Sequence, residues 1–267
     1  MTDYLQHTRE SFNKIAPAFD ETDRANPILL WMRGIVHKIY LKDIKQGETV
    51  LELNCGTGID AMFLARRGIK VYATDISDEM IHLLTLKASH EIEKGSIIAE
   101  VCAFSDIGKI KGSGFDAVVS NFGGLNCINE FNQLSNDLYD KLKPDGKFIA
   151  VVMNKLCPWE ILYFILKLDF RKAFRRFKKE GIDGAVDDQT VKTFYFFPKE
   201  FGKKFCDHFR IEKIYTHALY TPPPYLLGIY KRIKPIVKVW MKIDEVVKGI
   251  YPFNRVGDHF IIVMKRK

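Results

Sequence analysis

Val50-Leu51-Glu52-Leu53-Asn54-Cys55-Gly56-Thr57-Gly58-Ile59-Asp60 (VLELNCGTGID) runs from an apolar strand pattern into a glycine-rich turn and restarts as a helix. Val50, Leu51 and Leu53 carry the strand, and Gly56 and Gly58 supply positions where a side chain would block a ligand or force a positive φ. The segment from Asp60 through Arg66 is apolar at helical spacing, so the backbone N–H groups at its start point back at whatever the turn holds. That geometry suits an adenosine-containing cofactor. Ala61 supplies a third small residue, so the spacing alone leaves a dinucleotide open.

Glu52 at the strand end and the string E-L-x-C-G-T-G narrow the choice. Together they closely resemble motif I of the class I S-adenosylmethionine-dependent methyltransferases, usually written with a glycine where Asn54 stands. In that family the cofactor's amino-acid portion lies against bare backbone there, so Asn54 puts a small side chain into the contact. A second carboxylate follows at the expected distance: IKVYAT, 69 to 74, alternates as a strand and ends at Asp75, placed to bind two ribose hydroxyls. The bland alternative is a turn or N-cap aspartate ahead of the next helix. The resemblance places Ile76 and Met80 beside the adenine.

The order continues downstream. IIAEVC, 97 to 102, reads as a third strand, and the turn after it, which contacts adenine in the family, falls on Ala103 and Phe104. FDAVVSNFG, 115 to 123, is a fourth strand ending near Asn121; KLKPDGKFIAVVMN, 141 to 154, is a helix end, a Pro-Asp-Gly turn and a fifth strand. The resemblance thus covers 50 to 154. It implies an α/β, Rossmann-like fold: a seven-stranded, mostly parallel sheet with an antiparallel last strand, plus cap insertions. FNKIAPAFDE, 12 to 21, resembles the entry helix of methyltransferases related to those of ubiquinone and menaquinone biosynthesis, which carries Phe12 and Phe19 over as pocket-closing candidates. Ordinary core aromatics are the alternative.

At 267 residues the chain suits one α/β core with an elaborated region. We expect a cofactor-binding core with entry helices over 1–154. Cap insertions (155–197, with TVKTFYFF at 190–197 alternating as a strand, and 221–256, with a long helical stretch to about residue 250) and the last two sheet strands (211–217 and 259–264) follow in 155–267. Five cysteines (Cys55, Cys102, Cys127, Cys157 and Cys206) without a CxxC imply a reducing compartment; no metal-ligand spacing occurs, and no metal is expected. The start MTDYLQHTRE lacks the apolar core of a signal peptide, and no apolar run reaches membrane-spanning length. A cytoplasmic protein is expected, with peripheral membrane contact as an option.

Charge is the clue to the acceptor. Residues 1–154 carry 17 Lys and Arg against 21 Asp and Glu, net −4, whereas 155–267 carry 24 against 12, net +12. PWEILYFILKLDFRKAFRRFKKEG, Pro158 to Gly181, begins as an aromatic apolar helix and ends in Arg171, Lys172, Arg175, Arg176, Lys178 and Lys179. It reads as a lid over an apolar substrate, an interfacial helix on an anionic membrane, a docking face for an acidic carrier protein, or a cap helix with a solvated basic face.

A nucleic-acid substrate fits poorly. Base amino-methyltransferases carry an Asp/Asn-Pro-Pro-aromatic turn after the fourth strand, where this chain has Ser120-Asn121-Phe122-Gly123, and TPPPY (221 to 225) comes after the sixth. Cys127 and Cys157 lack the neighbours of a cysteine nucleophile. SNFGGLNCI, VVMNKLCPWE and PPPYL are similar to uncharacterised bacterial small-molecule methyltransferases.

The resemblance implies S-adenosylmethionine as cofactor and S-adenosylhomocysteine as product, with an in-line methyl transfer in which the protein aligns the nucleophile and supplies a base where one is required. His217, His7 and Tyr195 are the base candidates, each with a surface or satisfied core side chain as its alternative. Phe122, Asn126, Trp159 and Tyr195 are the acceptor-side candidates. The expected activity is methylation of a small or lipid-like acceptor, oxygen ahead of carbon or nitrogen. An RNA methyltransferase or an inactive cofactor-binding partner, for which Asn54 would be a sign of decay, stand as alternatives.

Overall fold

A computed structural model describes residues 3–186 and 189–267. Seven strands, β1 (Thr49–Leu53), β2 (Lys70–Asp75), β3 (Ile97–Val101), β4 (Phe115–Ser120), β5 (Leu142–Met153), β8 (Phe209–His217) and β9 (His259–Arg266), form one sheet. Its order is β3-β2-β1-β4-β5-β9-β8. β6 (Ile182–Val186) and β7 (Gln189–Thr193) pair apart from it as an antiparallel hairpin. The strands from β3 to β5 run parallel, and β9 alone runs against its neighbours β5 and β8.

The central strands read as near-continuous apolar runs because both faces are covered. On one face Leu51, Val118, Phe148, Phe260 and Ile262 pack with Phe131, Phe201 and Phe205. On the other, Val50, Ala117, Ile149 and Ile261 meet α2 (Pro27–Asp43) through Ile35, Val36 and Ile39, and α3 (Ile59–Ala65) through Ala61 and Leu64. Successive strands step outward from β1 in opposite directions, toward β2 and toward β4. The crevice at their carboxyl ends is therefore the place where such sheets bind ligands. Because β9 is antiparallel, its first residue lies at that same end: His259 pairs with Met153 and with His217.

α1 (Asp3–Ala25) and α4 (Asp78–Lys87) roof the crevice. α1 is strapped to the hairpin, Tyr4 Oη donating to the Lys192 carbonyl at 3.0 Å and His7 Nε2 lying 3.1 Å from the Thr190 carbonyl. It is tied to α4 by Asn13 Nδ2 donating to Asp78 at 2.8 Å.

Three expected elements differ. The cover at 158–181 is broken into Pro158–Leu166, Phe170–Ala173 and a 3-10 turn at Arg175–Phe177, because Leu168 adopts φ +59° and Asp169 caps a new start. The helical stretch up to about 250 divides into Leu227–Arg232 and Lys234–Val247 where Pro235 begins a new helix. The strand expected over 190–197 stops at Thr193: Phe194 turns to donate its N–H to the Asn126 carbonyl and Phe196 is drawn into the core against Phe131 and Phe201. Among the described residues no helix is long and apolar enough to cross a membrane.

Candidate active site

The turn after β1 uses three left-handed residues in five, Asn54 (φ +46°), Gly56 (+54°) and Gly58 (+83°). The two glycines do different work. A Cβ on Gly56 would meet nothing closer than the Phe19 ring at 3.8 Å, so this position presents bare backbone to the cavity. A Cβ on Gly58 would fall 2.0 Å from Leu84 Cδ1, so Gly58 lets α3 approach α4, and it does not line the cavity.

A cavity of about 380 Å³ begins at this turn. Phe19, Asn54, Gly56, Asp75, Ile76, Met80, Phe104 and Asn121 line it, and so do Phe12 and Ile15 of α1. Glu52 and Ala103 are buried and lie outside the lining; Cys102 occupies the wall beside Phe104. Glu52 sits in the strand with Oε2 unpartnered among the described residues, its carboxyl pushed well above the usual range by burial and by Asp60. Asp75 accepts from the Gly56 N–H and the Ser77 N–H, both at 2.9 Å. The cap of α4 is Ser77, whose hydroxyl accepts from the Met80 N–H, so Asp75 is left to face the cavity. Burial pushes its carboxyl up to about 6 against the pull of those N–H donors. Two ligand hydroxyls would relieve that cost, which is what a ribose offers.

A buried charge network forms the next wall. Arg33 of α2 bridges Asp60 and Asp23, each at 2.8 Å. Asp60 also meets His37 at 2.7 Å and accepts from Asn121 at 2.6 Å. Burial alone would raise the Asp60 carboxyl; Arg33, His37 and Asn121 outweigh it and hold it well below the usual carboxylate range. Arg33 Nε remains buried without a hydrogen-bond partner among the described residues, in a lining position. Glycine backbone, a buried carboxylate at a strand tip, an apolar slot at Ile76, Met80 and Phe104, and a guanidinium donor without a partner among the described residues together fit S-adenosylmethionine.

Comparison with known proteins agrees. Residues 50–146 match the model of a methyltransferase domain family. The uncharacterized protein MJ1252 of Methanocaldococcus jannaschii is 29% identical over 69% of this chain and 67% of its own length. A demethylmenaquinone methyltransferase of Leptospira interrogans is 28% identical over 57% of this chain. The match spans only 62% of that relative's length. A solved candidate S-adenosylmethionine-dependent methyltransferase from Listeria monocytogenes superposes with a TM-score of 0.59, covering 88% of this chain and 97% of its own at 18% identity, a likeness of fold. The chain carries a class I S-adenosylmethionine-dependent methyltransferase domain.

Past Phe122 the methyltransferase cavity reaches His259, which no motif flagged. His259 Nδ1 lies 2.9 Å from Asp258 Oδ2, and Asp258 Oδ1 accepts from Arg176 Nη2 at 2.6 Å. Burial alone would raise the Asp258 carboxyl, but His259 and Arg176 hold it well below the usual range. Arg176 donates onward to Glu160 Oε2 from Nη2 at 2.8 Å. One member of the sequence's basic cluster thus points inward and braces the site.

The other candidates sit elsewhere. His217 is buried outside the cavity with both ring nitrogens unpartnered among the described residues, and burial, then His259, pushes its pKa down to about 3, so it stays neutral. His7 is exposed at the hairpin. Tyr195 is buried beneath the Arg176 guanidinium, 4.9 Å from its ring centroid, and lines no part of the cavity. Asn126 spends its side chain on the Met153 N–H and the Phe194 carbonyl, fixing the turn after β4 from behind. Trp159 donates to the Tyr220 carbonyl at 2.6 Å and packs on Trp240 in a separate groove. Phe122 alone of the acceptor-side candidates lines the cavity, with the Arg33 guanidinium 4.6 Å from its centroid. Cys127 also lines it, but burial pushes the thiol up to about 12, which leaves it a poor nucleophile.

Signals for the missed residues existed. Arg33 and His37 are spaced i, i+4 and so share one face of α2. Asp258 and His259 stand at the start of β9, which runs against its neighbours in the large sheet, so that start must meet the carboxyl end of β5.

Proposed function

We propose that this methyltransferase acts on a small, largely apolar acceptor, with oxygen as the favoured acceptor atom. The observation that carries the reading is the continuous cavity from Gly56 and Asp75 past Phe122 to the Asp258-backed His259, walled by Leu5, Phe12, Leu29, Ile128 and Val191. The demethylmenaquinone methyltransferase relative supports a small-molecule acceptor. Among the lining residues described, Arg33 is the one Lys or Arg, against Asp23, Asp60 and Asp75, which suits a polyanionic RNA poorly.

When bound, S-adenosylmethionine supplies a methyl group on a sulfonium centre. Asp75 would hold the ribose hydroxyls, Ile76, Met80 and Phe104 the adenine, and Arg33 with the Asn54–Gly56 backbone the amino-acid end. Phe12, Ile15 and Phe19 of α1 exclude water. His259 uses Nδ1 on Asp258, which leaves Nε2 to accept a proton from the acceptor hydroxyl while Asp258 steadies the resulting imidazolium.

The test is release of S-adenosylhomocysteine during incubation with a panel of phenols, quinols and carboxylic acids. On the best acceptor, His259→Gln should lower kcat by about 10²–10⁴ and leave S-adenosylhomocysteine affinity within about twofold, far below the effect expected of a lost cofactor contact. Undiminished turnover in His259→Gln would remove the base, and absence of S-adenosylhomocysteine binding would remove the methyltransferase reading.

A further inference from the structure

Apolar exposure in this molecule is concentrated where the positive charge is. Among the described residues, five exposed large apolar side chains fall in 1–154 and seventeen in 155–267, the part that also carries the +12 balance. Fifteen of those seventeen lie on the two insertions, where they form stripes. In helix Lys234–Val247, Val237, Met241 and Asp244 are buried, while Ile236, Val239, Ile243 and Val246 recur at spacings of three and four on another side, Val246 with 73% of its surface exposed. Lys238 and Lys242, both exposed, flank that outer stripe. In helix Pro158–Leu166, Leu162 and Leu166 repeat the pattern and run into Leu168, Phe170 and Phe174, set among exposed Lys167, Arg171, Lys172, Lys178 and Lys179.

The two insertions meet at a shallow groove lined by Pro158, Trp159, Leu162, Trp240 and Phe253, with the two indole rings 5.4 Å apart. Tyr251, 75% exposed, follows in sequence just before the groove residue Phe253. We propose that this face docks on an anionic phospholipid surface, seating the stripes and the tryptophan groove at the headgroup boundary while the lysines pair with lipid phosphates.

Charge and composition both select that occupant. Lysines whose aliphatic stems border an apolar stripe, with tryptophan and tyrosine at its edge, suit an interface that is oily on one side and anionic on the other. A second copy docking face to face would bring two halves of +12 together, which opposes association. The proposal rests on surface chemistry alone and is independent of the acceptor assigned above.

Flotation of the full chain with phosphatidylcholine vesicles, with and without phosphatidylglycerol, tests it. Binding is expected to the anionic vesicles and to weaken with added salt. Lys234→Gln/Lys238→Gln/Lys242→Gln should lower partitioning by about a hundredfold, near a factor of five per charge. Val239→Ser/Val246→Ser should lower it by about tenfold or more. All five positions are exposed and away from the cavity, so unchanged S-adenosylhomocysteine affinity reports intact folding. Three results overturn the proposal: no binding to anionic vesicles; equal binding to soluble polyphosphate or RNA with no loss in the valine variant; or a dimer that the valine variant dissociates.

Discussion

Asn54 keeps the left-handed backbone that the turn after β1 requires, at φ +46°, because asparagine tolerates that region better than other residues with a Cβ. Its side chain folds away from the turn: Nδ2 donates to the Asn121 carbonyl at 2.8 Å and Oδ1 accepts from Ser120 at 2.6 Å. The room for it comes from Gly124, where a Cβ would fall 2.3 Å from Asn54 Cγ. Asn54 therefore clamps the β4 turn to the glycine turn, and decay of the site is not needed to explain it. Gly124→Ala should destabilise the fold by about 1–3 kcal/mol, and the same change in an Asn54→Gly background should cost about 1 kcal/mol less. Urea unfolding of the four-member cycle checks this; additive effects would show that the two positions do not share the space.

At the scale of elements, strand ends make the site. The tip of β2 holds Asp75 against the Gly56 and Ser77 N–H groups, and burial leaves its carboxyl titrating at about 6. Hydroxyls donated by a bound ribose favour the ionised form, so binding lowers that pKa. The sign follows: S-adenosylhomocysteine affinity is full above pH 6 and falls as pH drops below it, by up to about tenfold per unit. Titration calorimetry across this range should show the fall in the wild type and a flat, weaker profile in Asp75→Asn. A flat wild-type profile would count against ribose contact at Asp75. The apolar strands behind these tips were legible because burial on both faces demands continuous apolar runs. The cover elements at 158–177 were legible only as helix-forming, since their breaks follow from Leu168 and Asp169 and from Arg176 turning inward to Glu160 and Asp258.

Across the whole molecule, the pH response depends on groups that packing buries. His217 is held neutral beside Trp31 with a pKa of about 3, below the usual imidazole value. A depressed base contributes stability above its unfolded pKa and loses that contribution as pH falls toward the folded one. His217→Phe removes this term. Between pH 7 and pH 4 the wild type should lose about 3 kcal/mol relative to the variant, at about 1.4 kcal/mol per unit below the unfolded value. Denaturant unfolding of both proteins at the two pH values reads it; an unchanging difference would mean that His217 is not buried neutral.

The sequence by itself determined the cofactor half: the strand–turn–helix at 50–60, Asp75 at the next strand tip and the parallel order through 154 follow from local backbone demands and from apolar runs buried on both faces. Phe19, Ile76, Met80 and Phe104 could be placed because their elements could. Only the tertiary structure decided the buried charge pairs around the cavity. Arg33 meets Asp60 across 27 residues and Arg176 meets Asp258 across 82, so neither pair leaves a local pattern. The physical reason is that a chain's periodicity fixes which face of an element is buried, whereas the partner of a buried charge is fixed by which element packs over it.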